Sequence, residues 1–346
     1  MKSNLLLAVR ILALLTYAAT AQAEDAWTDI TAALLEQLKA PDVEPAFPGG
    51  CSGVVVNRTN GDVTVKVVGH GLWRSADQGK TWKRLDQETV SGRDETGWAT
   101  IVDQNAPARI ATFSLDGSAG WTPDGKQWHK FTDLGRNWDY GSVDWSAANP
   151  KTIIAAKHET NPPGEVYATA DGGVTWKQLS IHLKESRGEI SMVGALGETT
   201  FVYSTGEGIH RSTDFGKSWT LVSPANPQTR IPVLFNGAHY LGTATGLLVS
   251  RDQGATWRKQ GGEVNVWQGP FFGSDDKNML IVGKEHVHLT EDGGEHWKRV
   301  AAVKPKEGVF LFTTNWFGCY AWDPVNRILY ASSMGNPVFK LKLSEK

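Results

Sequence analysis

One short pattern recurs along this chain, and it constrains the fold more than any other feature of the sequence. The pattern is Ser/Thr-x-Asp-x-Gly-x-Thr/Ser-Trp, and its Asp stands at positions 77, 124, 171, 214, 252 and 292, so that successive copies lie 47, 47, 43, 38 and 40 residues apart. Four copies are complete. The copy at Asp292 has His296 in place of the second hydroxyl residue, and the copy at Asp124 is one residue short. A period of about 40 residues is the length of one four-stranded blade of a β-propeller.

Each copy has the composition of a tight turn between two strands. An Asp side chain accepts hydrogen bonds from backbone N–H groups of its own turn, and Gly adopts the positive φ that such a turn needs. The hydroxyl residues add local bonds, and the Trp buries a large surface beside the hairpin. Strand-like runs flank the first copy, Gly71 to Arg74 before it and Lys83 to Leu85 after it. We therefore expect each copy to join the last two strands of a four-stranded unit.

The repeat resembles the Asp box of bacterial neuraminidases, and the resemblance covers nearly all of the chain beyond its N-terminal segment. It implies an all-β propeller fold. A strand-like block from Gly53 to Val68 completes the first of six blades that carry a box. Three strand-like runs without a box then follow the last copy, at Cys319–Trp322, Arg327–Ser332 and Val338–Leu343. We therefore expect a seven-bladed β-propeller over residues 49–346, with the seventh blade beside the first.

The N-terminal segment has the pattern of an export signal. Lys2 precedes an apolar run from Leu5 to Ala19, and the small-x-small sequence Ala21-Gln22-Ala23 follows. This pattern predicts a signal peptide over residues 1–23 and a secreted or periplasmic location. The run is too short and too broken to predict a membrane span. Within the lead-in at residues 24–48, the spacing of apolar residues from Trp27 to Leu38 predicts a short helix outside the ring.

Charge and cysteine content narrow the possibilities further. A formal charge of −2 and a pI near 6.5 argue against a nucleic-acid partner, and we expect no cofactor. The two cysteines, Cys51 and Cys319, begin the innermost strands of the first and seventh blades. Because exported thiols tend to pair, we expect a disulfide that closes the ring, and the alternative is two buried thiols.

Propellers bind ligands on the face formed by the loops that lead into each blade and the loops that join its second and third strands. We call this the upper face. Aromatic rings stack on sugars and Arg forks bind carboxylates, so we expect Arg and Trp residues of these loops to bind substrate. The candidates are Arg93, Trp98, Arg136, Trp138, Arg230, Trp267 and Trp316. For each Trp, the alternative is a wedge between adjacent blades.

Two chemistries are open at this face. His158 lies in a long polar loop, and with Tyr140 it would form the base and acid of a β-eliminating polysaccharide lyase, an Arg neutralising the uronate. Alternatively, paired carboxylates would act as the acid and base of a glycoside hydrolase, drawn from Asp94, Glu95, Asp139 and Glu189. For every one of these residues the plain alternative is a solvated polar group of a loop.

No metal site is predicted. His286 and His288 form a His-x-His pair on a strand-like run, but no matching third ligand accompanies them.

The resemblance leaves two classes of function. Sialidases carry Phe/Tyr-Arg-Ile-Pro in the first blade, whereas here Arg230-Ile231-Pro232 follows Thr229 in the fifth, so a sialidase is disfavoured. Xyloglucan-cleaving Asp-box enzymes use two propellers, and this chain has one. A lyase or hydrolase acting on an acidic polysaccharide fits better. The chain also resembles the photosystem II assembly factors, which are single exported propellers, and this resemblance implies a non-catalytic scaffold with a protein partner.

Overall fold

The computed structural model describes residues 27–40, 44–160, 164–181, 190–303 and 318–344. These residues form seven antiparallel sheets of four strands each, arranged as a seven-bladed β-propeller. The predicted fold class and the number of blades are therefore confirmed. The first strand of each blade lies at the centre of the ring, and the inner strands of neighbouring blades contact one another.

The elements follow in chain order. The N-terminal segment contains β1 (Thr28–Asp29) and α1 (Ala32–Leu38). Blades 1 to 3 contain β2 (Cys51–Val56), β3 (Val63–Val67), β4 (Gly71–Ser75), β5 (Lys83–Arg84); β6 (Thr100–Val102), β7 (Ile110–Thr112), β8 (Gly120–Thr122), β9 (His129–Lys130); β10 (Trp138–Val143), β11 (Ile153–Lys157), β12 (Val166–Thr169), β13 (Lys177–Gln178). Blades 4 and 5 contain β14 (Met192–Ala195), β15 (Phe201–Ser204), β16 (Ile209–Ser212), β17 (Thr220–Ser223); β18 (Val233–Phe235), β19 (Ala238–Thr243), β20 (Gly246–Ser250), β21 (Arg258–Gln260). Blades 6 and 7 contain β22 (Gln268–Phe272), β23 (Met279–Val282), β24 (His286–Thr290), β25 (Lys298–Ala302); β26 (Gly318–Asp323), β27 (Ile328–Ser333), β28 (Phe339–Lys342).

The repeated turns join the third and fourth strands of blades 1 to 6, as the sequence predicts. In the first of them the hydroxyl of Ser75 donates to Asp77 at 2.7 Å, and the other oxygen of Asp77 accepts from the hydroxyl of Thr81 at 2.7 Å. The backbone N–H of Thr81 donates to the same carboxylate at 2.9 Å. Gly79 has φ +92°, and a Cβ there would meet Ile30 of the N-terminal segment. Each turn is therefore closed by its own side chains.

The N-terminal segment closes the ring at the seventh blade. β1 pairs antiparallel with β28, so the outermost strand of blade 7 comes from the start of the described chain. Three strands of this blade are predicted from the sequence, and the fourth is not, because a two-residue strand has no periodic signal. α1 lies outside the ring, as expected, and buries Leu34 against the core between blades 1 and 7.

The two cysteines lie at the same seam on neighbouring inner strands, β2 and β26. Both side chains are buried, and both are free thiols in this structure. Burial raises the pKa of Cys51 to about 12 and also raises the pKa of Cys319. The predicted position at the junction of the first and last blades is therefore present, whereas the disulfide stays a prediction.

Among the described residues, no helix is long and apolar enough to cross a membrane.

Candidate functional site

Charged side chains of blades 2 and 3 converge on the upper face. They come from the start of β10, from the loops that lead into β6 and β10, and from the loops that join β7 to β8 and β11 to β12. We call this group the polar cluster, and its members are Arg93, Glu95, Asp116, Arg136, Asp139, His158 and Glu159. The cluster thus brings Asp116 and Glu159 together with five residues predicted from the sequence: Arg93, Glu95, Arg136, Asp139 and His158.

Both arginines of the cluster are paired with carboxylates. The guanidinium of Arg93 bonds to Asp116 and, at 3.0 Å, to Glu95. Arg136 lies 3.3 Å from Asp116 and 3.3 Å from Glu159. Four carboxylates therefore face two guanidinium groups and one imidazole, so the positive charge of the cluster is balanced internally.

His158 and Asp139 form a close pair beneath the surface. The Nδ1 atom of His158 lies 2.6 Å from Oδ1 of Asp139, and the His158 side chain is only 7% exposed. The hydrogen bond with Asp139 raises the pKa of His158 against the opposing effect of burial. The backbone of His158 is also held, since its N–H donates to the carbonyl of Asn137 at 3.0 Å. The imidazole is therefore fixed in orientation and favours its charged form.

Glu95 lies next to this pair, and its side chain is 13% exposed. Burial raises the pKa of Glu95, and the charge of Asp139 raises it further, while Arg93 and His158 oppose the shift. Thr96, the residue after Glu95, links this loop to β10, because its hydroxyl donates to the backbone carbonyl of Asp139 at 3.0 Å. A carboxyl group that holds its proton more strongly than usual thus lies beside a second carboxylate.

A buried ion pair anchors the loop that carries Arg93 and Glu95. Asp94 and Lys66 of β3 are fully buried, with Nζ of Lys66 3.1 Å from Oδ1 of Asp94. Lys66 also donates to Thr112 at 2.9 Å and to Ser114, and Thr100 donates to Asp94 at 2.5 Å. Burial lowers the pKa of Lys66, and the carboxylate of Asp94 opposes this shift. Asp94 is therefore part of the framework that positions its two neighbours.

Two of the predicted residues lie in the core of blade 3. Trp138 is completely buried, and its ring packs at 4.6 Å against that of Trp176. Tyr140 is also buried, and its hydroxyl donates to the carbonyl of Ile190 at 2.7 Å. These positions are those of residues that hold adjacent blades together. Trp98 is buried as well, and it lines the central cavity of the ring with residues of blades 1, 3, 5, 6 and 7.

Arg230 and Trp267 lie away from the polar cluster. Arg230 is half-buried and donates to the carbonyl of Ser191 at 3.0 Å. Trp267 is half-buried in the loop that leads into β22, and its backbone N–H donates to Val282 at 2.8 Å. Glu189 and Trp316 lie outside the described residues.

Contacts between blades border the central channel at both faces. At the lower face Arg58 donates to the carbonyls of Gln104 at 2.6 Å and Gly273 at 2.7 Å, which links blades 1, 2 and 6. At the upper face a Cβ on Gly97 of blade 2 would lie 1.9 Å from the carbonyl oxygen of Gly318 in blade 7, so the two backbones are in direct contact. The polar cluster therefore lies on the upper surface beside the channel.

Two residues that matter here are not singled out by the sequence. In the sequence, Lys66 looks like any other residue of a strand. Its burial opposite Asp94 shows that it anchors the loop that carries Arg93 and Glu95. Phe47, in the lead-in, lies 5.5 Å from the guanidinium carbon of Arg93 and is 74% exposed. An aromatic residue followed by Pro-Gly-Gly is the signal that marks this turn in the sequence.

The described residues contain no group of three His, Cys, Asp or Glu side chains arranged to hold a metal ion. His286 and His288 lie on β24 with ring centres 6.3 Å apart, and Nε2 of His286 lies 2.9 Å from Arg299.

Comparisons with known proteins find one curated relative and several solved propellers. No protein-family model matches the chain. The chain is 24% identical over 243 residues to a xyloglucanase from Paenibacillus sp, a match that covers 64% of this chain and 22% of the relative. It therefore spans about a fifth of the length of this relative.

Solved structures give the same picture of the fold. A GH74 enzyme from Niastella koreensis has a TM-score of 0.52 at 16% identity, over 86% of this chain and 53% of that chain. YCF48 from Cyanidioschyzon merolae has a TM-score of 0.46 at 14% identity, over 91% of this chain and 98% of that chain. The first of these likenesses shows the fold alone, and the second is too distant to carry an argument.

Proposed function

We propose that the protein is a glycoside hydrolase that cleaves a polysaccharide on its upper face, with Glu95 as the proton donor and Asp139 as the second carboxylate. The observation that carries this proposal is the placement of two carboxyl groups with different surroundings, one on the loop before β6 and one at the start of β10. Glycoside hydrolysis needs a carboxylic acid that stays protonated and a carboxylate that stays ionised. The similarity to a xyloglucanase supports the same class of reaction.

In this proposal Glu95 is the general acid, and Asp139 is the general base or the nucleophile. Glu95 protonates the glycosidic oxygen, since burial favours its neutral form. Asp139 activates water or attacks the sugar directly, and His158 orients it through the 2.6 Å contact. Thr96 fixes the loop that carries Glu95 relative to β10 through its bond to the carbonyl of Asp139.

The alternative lyase mechanism finds less support in this geometry. The hydroxyl of Tyr140 donates to the carbonyl of Ile190 within the blade core, so it is not presented to a sugar on the surface. Lyases also need a cation that neutralises the uronate, and both arginines of the polar cluster are already paired with carboxylates. A neutral polysaccharide is therefore favoured over the acidic one expected from the sequence. The predicted signal peptide is consistent with a polymer met outside the cytoplasm.

Activity against polysaccharides of both charge classes tests the proposal. Purified protein spanning residues 24–346 would be incubated with xyloglucan, mixed-linkage glucan and polygalacturonate, and new reducing ends would be measured. We expect release from a neutral glucan and a loss of kcat of roughly 10²–10⁴-fold in Glu95→Gln. The matched control is Glu285→Gln, an exposed carboxylate of the same face outside the cluster, which should leave kcat unchanged.

Two other outcomes would overturn the proposal. Ultraviolet absorbance of an unsaturated uronide from polygalacturonate would identify a lyase. Absence of cleavage of every polysaccharide, with Glu95→Gln indistinguishable from the wild type, would favour the non-catalytic scaffold.

A further inference from the structure

An exposed aromatic ring lies against Arg93 of the polar cluster. Phe47 is the most exposed of the large hydrophobic residues in the described chain, at 74%. Its ring centre lies 5.5 Å from the guanidinium carbon of Arg93. Isolated exposed apolar residues are common on protein surfaces, so exposure alone says little. The contact with Arg93 is informative because the same guanidinium bonds to Glu95 at 3.0 Å.

The turn that carries Phe47 is held in place from three sides. The N–H of Gly49 donates to the carbonyl of Ala46 at 2.7 Å, which closes the turn around the ring. Gly50 has φ +60°, and a Cβ there would lie 2.5 Å from the carbonyl oxygen of Gly335 in blade 7. The carbonyl of Gly50 accepts from Val68 of blade 1 at 3.0 Å. The ring is thus presented by a fixed turn at the seam.

We propose that the ring of Phe47, backed by Arg93, is a sugar-stacking subsite that binds a neutral pyranose of the polysaccharide next to Glu95. This inference rests on the proposed function and adds a binding residue to it. The face of a phenyl ring covers the C–H face of a pyranose, while the flanking carboxylates accept hydrogen bonds from its hydroxyl groups. A uronate is disfavoured because both arginines of the cluster are already paired with carboxylates.

The subsite is tested by binding in the absence of cleavage. The Glu95→Gln protein would be titrated calorimetrically with cellohexaose and, separately, with hexagalacturonate. We expect cellohexaose to bind more tightly, and Phe47→Ala in this background to weaken it roughly threefold to tenfold. Phe47→Trp should restore binding, since a larger ring offers the same stacking face.

A matched control and the contrary outcomes complete the test. Val174→Ala removes another exposed apolar side chain, 62% exposed, on the lower face and should leave the affinity unchanged. If cellohexaose binds equally well to Phe47→Ala, the subsite is refuted while the proposed hydrolase stands. Tighter binding of hexagalacturonate refutes the neutral substrate class. If neither oligosaccharide binds and no polysaccharide is cleaved, the proposed function and the subsite both fall.

Discussion

Asp94→Asn is the substitution whose effect on stability follows most directly from the structure. It keeps the shape of a side chain that is fully buried, but it removes the charge opposite Lys66. At the observed 3.1 Å separation, an effective dielectric constant of about 20 gives an attraction of about 5 kcal/mol. Removing one partner of a buried ion pair typically costs about 3–5 kcal/mol, because the other charge stays buried without compensation.

The expected loss is measurable by standard unfolding experiments. For a domain of this size about 3–5 kcal/mol lowers Tm by roughly 4–8 °C. Guanidinium titration of the wild type and the variant would give the difference in free energy of unfolding directly. The matched control is Lys259→Met, which removes an exposed partner of Glu263 at 3.5 Å and should cost less than about 0.5 kcal/mol.

The variant also has a predicted pH dependence. Burial lowers the pKa of Lys66 in the folded protein, and losing Asp94 lowers it further, since the carboxylate opposes that shift. The unfolded chain then binds more protons than the folded one, so stability rises with pH. The deficit of Asp94→Asn should therefore shrink between pH 7 and about 10, where an unfolded Lys begins to lose its proton.

Either of two results would refute this reasoning. One is a free energy of unfolding of Asp94→Asn within about 1 kcal/mol of the wild type, which would mean that the pair is not desolvated as the structure shows it. The other is a deficit that stays constant or grows as the pH rises. The double variant Lys66→Met/Asp94→Asn should be less destabilised than Asp94→Asn, because it contains no buried charge at this position.

Three further predictions concern titration and reactivity. The pKa of His158 is raised by its bond to Asp139, so the stability that this pair contributes is present below pH ~6.5 and is lost as the pH rises through the folded pKa. The difference in unfolding free energy between the wild type and His158→Gln should therefore fall as the pH rises above about 6.5, and a constant difference would count against the pair. The hydrogen bond from Ser218 lowers the pKa of Asp214. Asp214→Ala should therefore reduce Tm at pH 7 and have less effect in acid, where the carboxylate is protonated. An equal reduction of Tm at pH 7 and in acid would contradict this. The thiols of Cys51 and Cys319 are both buried, so the reduced native protein should resist alkylation and should react at both positions after unfolding. Mass spectrometry of the intact protein would count the modified thiols. Rapid alkylation of the native protein would argue against the structure.

The repeated turns explain why the architecture is readable from the sequence. The bonds that close the turn at Asp77 all lie within the seven residues from Ser75 to Thr81, so no tertiary contact is needed to recognise them. Their spacing predicts six blades and the face on which each loop lies, and the strand-like runs after the last turn predict the seventh blade. The short strand β1 cannot be predicted from local turns, because it is defined by its pairing with β28 at the other end of the chain.

The sequence predicted which loops carry the candidate site, but not which of their side chains reach the surface. Residues such as Arg93 and His158 could be assigned to loops of the upper face, because that assignment depends only on blade phase. Whether a side chain on those loops faces the surface or the core depends on packing, and Trp138 and Tyr140 turn inward between blades.

The sequence by itself therefore determined the propeller, its seven blades and the face where charged and aromatic loop residues occur, because these follow from local turns at a regular spacing and from the strand-like runs after the last turn. Only the tertiary structure decided which residues meet there. Glu95, Asp139 and His158 come together through the closing of neighbouring blades, and Phe47 joins them because the lead-in is fixed across the seam. Contacts between segments far apart in sequence depend on ring closure and side-chain direction, which no local pattern records.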